Sequence, residues 1–196
     1  MAVEPDAPPI VRAVATRVRV AVRTDSGRQA LQRLPGPIAL RSVSDAQRAT
    51  ITRTSDGVHV ETLGSGAPAA TLDIDPLSLT VSSANGEAPA VEAVSALLHP
   101  DPPALAAAAE DFWALSSPMP GMPGLVLVAV DTGEVVRLGP QEEPYEIHGG
   151  DIDLRRLMSG FDWLIPSLRA GKFSIKGTHR QLSVVTGASM KAVYDV

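Results

Sequence analysis

The residues able to do chemistry are few and scattered. The histidines are His59, His99, His148 and His179, and no two stand at the spacing that would aim a pair of imidazoles at one metal ion. His148 has acidic neighbours in Glu146 and Asp151. Gly149-Gly150 between them reads as a turn, and a catalytic imidazole also needs a nucleophile beside it. The carboxylate pairs Glu142-Glu143 and Asp151-Asp153 have the residue type for acid–base work, but the first belongs to a solvated loop and Asp151 is placed to cap a helix. Gly64-Ser65-Gly66 is too short for a phosphate loop and does not feed a helix. There is no cysteine, which removes disulfides, thiolate metal sites and cysteine nucleophiles together. These residues predict a chain that is not an enzyme, with no metal and no cofactor.

The pattern that stands out is apolar. Phe161, Trp163, Leu164, Ile165 and Leu168 precede a short alternating segment with Phe173 and Ile175, and Leu182 follows. Two readings are open. One is the wall of a hydrophobic pocket. The other is an ordinary helix face in a core, where each large side chain contributes about 1.5–3 kcal/mol. The Trp163 indole N–H wants a partner even when its ring is buried, and Pro166 interrupts the segment, which favours an irregular helix. Met119 and Met122 sit in the proline-glycine stretch 116–124, either as an adaptable lid over an apolar ligand or as filler beneath a loop. Arg155, Arg156, Arg169, Lys172 and Lys176 concentrate positive charge here. They fit a lipid carboxylate or headgroup, or a solvated face whose stems cover apolar surface.

The elements that must position these residues read as follows. Residues 1–9 form an arm. Residues 10–22 read as a helix passing into extended chain, because Ile10, Val14 and Val18 recur at helical spacing whereas Val18, Val20 and Val22 alternate. Asp25 or Ser26 caps a helix that ends before Pro35-Gly36-Pro37. Strands are expected at 38–43, 49–54, 58–63 and 70–74, with a tight hairpin at Asp56-Gly57. Residues 82–89 are small and polar and read as a loop, followed by a helix at 90–98. Asp101 and Pro102 start another helix through 104–115. Strands follow at 125–130, 134–138 and 145–148, helices at 151–158 and 162–169, a strand at 172–176 and a helix from 178. Residues 50–60 and 126–136 match in pattern and turn position. Each hairpin ends in Leu-Gly and leads to an Asp-x-Asp start, Asp73-Ile74-Asp75 and Asp151-Ile152-Asp153. This predicts an internal duplication, with chance similarity of two hairpins as the alternative.

Composition sets the outer limits. An apolar fraction of 44% supports a core, and a net charge of −5 argues against a nucleic-acid partner. The longest apolar run, residues 125–130, falls short of the roughly 20 that a bilayer helix needs. The N-terminus, with Glu4, Pro5, Asp6, Pro8 and Pro9, lacks the basic patch and apolar stretch of a secretory signal, and Tyr194-Asp195-Val196 carries no targeting signal. These features predict a cytoplasmic protein without stable membrane insertion. The Ala, Pro, Val and Arg bias suggests a GC-rich bacterial genome.

Asp151-Ile152-Asp153-Leu154-Arg155-Arg156-Leu157-Met158-Ser159-Gly160, then the apolar residues 161–170, then Gly171-Lys172-Phe173-Ser174-Ile175-Lys176-Gly177, resembles the sterol carrier protein type 2 family of lipid-binding domains over about residues 124–186. The first half resembles it over the strands alone, about 38–77. The resemblance implies an α+β fold: a mixed, mostly antiparallel sheet with helices on one face, internally duplicated, built as two subdomains or one extended sheet. The divisions are an N-terminal arm and helix at 1–22, a degenerate half at 23–100 and a more complete half at 101–196. The implied activity is binding of a lipid, sterol or acyl chain in an internal pocket. A non-catalytic assembly module, partnered by another protein or by its own copy as a homodimer, is the alternative.

Overall fold

The computed structural model describes residues 2–3, 6–55, 57–64, 66–76 and 78–194. The chain divides into two compact units, residues 1–101 and 102–196. The first contains β1 (Ala2–Val3), α1 (Pro9–Ala21), α2 (Asp25–Gln32), β2 (Ile38–Ser42), β3 (Arg48–Thr54), β4 (Gly57–Glu61), β5 (Ala70–Ile74), β6 (Val81–Gly86) and α3 (Ala88–Leu98). The second contains α4 (Leu105–Ser116), β7 (Leu125–Ala129), β8 (Val135–Leu138), β9 (Tyr145–Gly149), α5 (Asp151–Met158), α6 (Leu164–Arg169), β10 (Phe173–Lys176) and α7 (His179–Tyr194).

In the first unit the strands run β1-β4-β3-β2-β5-β6. Period-two alternation sends Ile38 and Leu40, Ala49 and Ile51, Val58 and Val60, and Leu72 and Ile74 to one face. There they meet Ile10, Val11, Val14 and Val18 of α1 and Val94, Leu97 and Leu98 of α3 in one core. The expected passage of residues 10–22 into extended chain does not occur. Ile10, Val11, Val14, Ala15, Val18 and Ala21 form a single buried helical stripe, and that burial overrides the alternation of three valines. Of the expected arm at residues 1–9, the described Ala2 and Val3 are not free-standing but pair in parallel with His59 and Val60. Thr24 caps α2, accepting from Gly27 N, where Asp25 or Ser26 was expected. The polar stretch read as a loop at 82–89 contributes β6, an exposed edge strand. Edge strands need no alternating apolar pattern, so its sequence concealed it. Of the Asp56-Gly57 hairpin, Asp56 lies outside the described residues; β3 and β4 pair antiparallel with Thr54 opposite Gly57.

In the second unit the order is β10-β9-β7-β8, with β7 parallel to β9 and the outer pairs antiparallel. Its inward side chains are Leu125, Leu127, Ala129, Tyr145, Ile147 and Phe173. They meet Leu105, Phe112, Leu154, Leu157, Met158, Leu164, Val185 and Ala188 from the four helices. Both units are therefore α+β, a mixed and mostly antiparallel sheet under helices. Helix α4 begins at Leu105 with Ala104 at its cap and no side-chain capping bond, so Asp101 and Pro102 do not start it.

The two sheets share a path. A hairpin, a third strand parallel to its first strand, and a fourth strand antiparallel to the third describe β2-β3-β5-β6 and β7-β8-β9-β10 alike. This correspondence of strand paths is offset from the match seen in sequence, because β2–β3 corresponds to β7–β8, whereas residues 50–60 fall on β3–β4. Two apolar hairpins look alike in sequence; only the parallel partner distinguishes them. The Asp-x-Asp segments both lie near the end of the third strand but not in register, because Asp73 pairs within β5 opposite Arg41 whereas Asp151 opens α5 beyond β9. In the second unit the chain enters α5 there. In the first it turns tightly, Asp75 N donating to Thr80 O at 3.0 Å and Leu79 N to Asp75 O at 2.8 Å. Among the described residues the helix pair α5–α6 therefore has no counterpart in the first unit.

Gly160 joins α5 to the rest of its unit. Its φ is +74°, and a Cβ there would lie 2.5 Å from the Ala192 carbonyl oxygen. Gly160→Ala is expected to lower stability by about 2–4 kcal/mol, measured by urea unfolding; a change below about 0.5 kcal/mol would show that α7 gives way freely.

Candidate functional site

The interior of the second unit is largely apolar, with Ser116, Ser167 and Ser189 buried in it and, among the described residues, the Tyr145 and Ser159 hydroxyls left without a hydrogen-bond partner. Tyr145 on β9 is fully buried in the core cluster, and its hydroxyl has no hydrogen-bond partner among the described residues. Burial raises its pKa to about 12, so the group stays a neutral donor. The ring lies against Gly177, where a Cβ would come 2.3 Å from Tyr145 Cδ2. Gln181 holds the start of α7 nearby. Its Oε1 accepts from Thr178 N at 2.7 Å and its Nε2 donates to Glu143 O at 2.8 Å. Tyr145 was not singled out from sequence, although its alternation with Ile147 on a strand carried the signal.

The ten residues named as a pocket wall divide into four groups. Leu164 and Phe173 belong to the core cluster, and Leu168, Ile175, Leu182, Met119 and Met122 pack half-buried on its edge. Phe161 is buried under the Arg156 guanidinium, 5.7 Å from its ring centroid. Trp163 and Ile165 turn outwards, 39% and 40% exposed. The cause is the shortness of α6, which starts at Leu164 and turns Leu164 and Ser167 inward, leaving its neighbours on the other side. Leu164 N also donates to the buried Ser189 Oγ at 3.1 Å, which fixes the helix on α7. Met119 rests on α7, its Cε 3.5 Å from where a Gly187 Cβ would stand.

Four of the five basic residues, Arg155, Arg156, Lys172 and Lys176, are engaged in internal contacts, whereas Arg169 in the last turn of α6 is not part of them. Arg156 donates twice to Asp162 at 2.9 Å, and Lys172 reaches Asp153 at 3.0 Å and Asp162 at 3.4 Å. Arg155 bonds Asp151 and the backbone carbonyls of Pro102 and Pro103. Lys176 reaches Glu146 at 2.8 Å and His148 bonds the same carboxylate at 3.1 Å. The hydrogen bonds from Lys176 and His148 hold Glu146 below the usual carboxylate range. Burial pushes Asp162 up, but the Arg156 and Lys172 contacts outweigh it and leave the carboxyl lowered. Asp151 does not cap α5. Gly150 holds that position, and Asp131 Oδ1 from the β7–β8 turn accepts from Asp151 N at 2.8 Å.

The other histidines stand apart. His99 Nε2 donates to Leu79 O at 3.0 Å, and His59 and His179 are exposed. Among the described residues no three of His, Asp and Glu cluster as metal ligands, and no helix is long and apolar enough to cross a membrane.

A cavity of about 300 Å³ lies in the first unit, on the sheet face opposite its helices. Ala39, Thr50 and Thr71 line it, with Arg41 and Arg48 alongside and Leu63, Gly64 and Pro68 contributed by the β4–β5 loop. Gly64 N donates to Thr50 Oγ1 at 3.1 Å, and a Cβ on Gly64 would strike Thr50 Cγ2 at 2.4 Å. The sequence reading missed this site. Alternation places these residues on one face, but only the β2–β3 register brings them opposite one another.

No protein-family model matches the chain, and no curated protein matches it. Among solved structures it is similar to a UbiJ-SCP2 ubiquinone synthesis protein at 9% identity and a TM-score of 0.30, over 93% of this chain and 94% of that one. A likeness that loose carries no argument about site or ligand.

The Asp162 cluster sets a pH dependence. A carboxyl whose folded pKa lies below its ordinary 3.8 adds stability that is present above that value and lost as pH falls through the lowered one. Unfolding free energy should therefore fall below about pH 4, and Asp162→Asn should flatten that slope while lowering stability near neutrality by about 1–3 kcal/mol. Equal slopes in both proteins would remove Asp162 from the balance.

Proposed function

We propose that the chain is a non-catalytic binding protein whose second unit takes an apolar small molecule, such as a lipid, sterol or acyl chain, between its sheet and its helices. The Tyr145 hydroxyl carries this reading. A buried polar group without a partner costs about 1–3 kcal/mol, and among the side chains packed around it none answers this one. An oxygen on a guest would accept its proton. The guest's hydrocarbon would gain about 25 cal/mol for each Å² of apolar surface buried. Met119, Met122, Leu168, Ile175 and Leu182 supply a half-exposed apolar border that can yield to it, and methionine is the side chain best suited to such rearrangement.

A second reading has its own support. Trp163, Ile165 and Met190 are 39%, 40% and 43% exposed, and large apolar side chains left in water fit an interface with a second copy. Native mass spectrometry with solvent extraction of the purified protein separates the two. A copurifying apolar species bound to the monomer supports the first reading. A stable dimer without extractable ligand, dispersed by Ile165→Asp, supports the second.

Tyr145→Phe tests the hydroxyl. Ligand-free stability should hold or rise by about 1 kcal/mol, because the unanswered group is gone, while affinity for the extracted species falls. A loss of stability with unchanged affinity would assign the hydroxyl to a bound water.

A further inference from the structure

The first unit carries an arrangement that the apolar-guest reading does not use. β2 and β3 are antiparallel, with Arg41 directly opposite Arg48. Both lie on the face away from the buried Leu40 and Ala49. Like charges directly opposite across a ladder destabilise the pair. Among the described residues a single carboxylate answers them. Asp73, beside Arg41 on the parallel β5, accepts from Arg41 Nε at 2.8 Å and from Ser83 Oγ at 2.5 Å. That bond holds the Arg41 guanidinium by one edge and leaves its terminal nitrogens available. Arg48 has no side-chain partner among the described residues.

Both arginines line the cavity of about 300 Å³. The adjoining row of the same face, Thr71-Ala39-Thr50, forms its floor. Thr50 is 7% exposed, and its hydroxyl oxygen is occupied by Gly64 N, so its proton remains free to donate. Pro37, Leu63 and Pro68 make the remaining wall apolar. The space therefore has a cationic end, a buried hydroxyl and a greasy side, at the small end of ligand-site volumes.

We propose that this cleft binds a small carboxylate with a short apolar body, its carboxylate bridging Arg41 and Arg48 and its body lying against Ala39, Leu63 and Pro68. Two planar forks match the two oxygens of one carboxylate, and the bridge removes the repulsion that the β2–β3 pair otherwise carries. A phosphate offers the same anionic chemistry without the apolar body.

The test titrates octanoate, octan-1-ol and inorganic phosphate into the full chain, followed by amide NMR. Octanoate should shift Ala39, Thr50 and Gly64, with both comparators binding at least about tenfold more weakly. Arg48→Gln, a change at an exposed side chain whose fold circular dichroism verifies, should weaken octanoate by about tenfold or more. Any of four results overturns the proposal: no octanoate binding, equal affinity in the variant, shifts confined to the second unit, or phosphate binding as tightly as octanoate.

Discussion

A sheet covered by helices on one face must sort its side chains by alternation, and everything in this chain depends on that sorting. On β9, Tyr145 and Ile147 go to the helices while Glu146 and His148 go outward. On β2, Ile38 and Leu40 go inward while Ala39 and Arg41 do not. A slip of one residue in either strand would bury a charge and expose a core residue. The same rule thus creates the apolar interior of the second unit and the mixed outer cleft of the first.

The two units use a shared strand path in different ways. Where the second inserts α5 and α6 between its third and fourth strands, the first makes a tight turn. The second consequently has more helical cover, held by the Asp131 contact to the start of α5, the close approach at Gly160 and the Arg156–Asp162–Lys172 cluster. The first compensates with extra strands, and its β4–β5 loop folds back over the outer face, where Gly64 allows contact with Thr50.

Much of this was legible in the sequence, and the failures have three causes: local ambiguity at helix ends, partners far away along the chain and the length of an element. Strands and helices with a clear apolar period were placed to within a residue or two, and the α+β arrangement that the resemblance implied is the one present. Helix ends such as Thr24 and Leu105 differ by local choices among neighbouring residues, and the larger misses depended on partners distant along the chain or on element length. The exposed strand β6 has no pattern because it has one neighbour and only Val81 at its start touches the core. The offset of the strand paths depends on which hairpin accepts a parallel strand. Trp163 and Ile165 looked like wall residues because they lie among Phe161, Leu164 and Leu168, yet a helix of six residues has room to bury one face only. The Arg41–Arg48 pairing required a register that no composition reveals.

The claim at the centre is that the space around the Tyr145 hydroxyl admits an apolar guest. Xenon tests this without assuming the guest's identity, because dry apolar cavities bind it. Under xenon pressure, methyl NMR signals of Leu125, Leu157 and Val185 in the cluster around Tyr145 should shift saturably. If those signals stay fixed while others move, or if nothing moves, the interior is solid and the account is wrong.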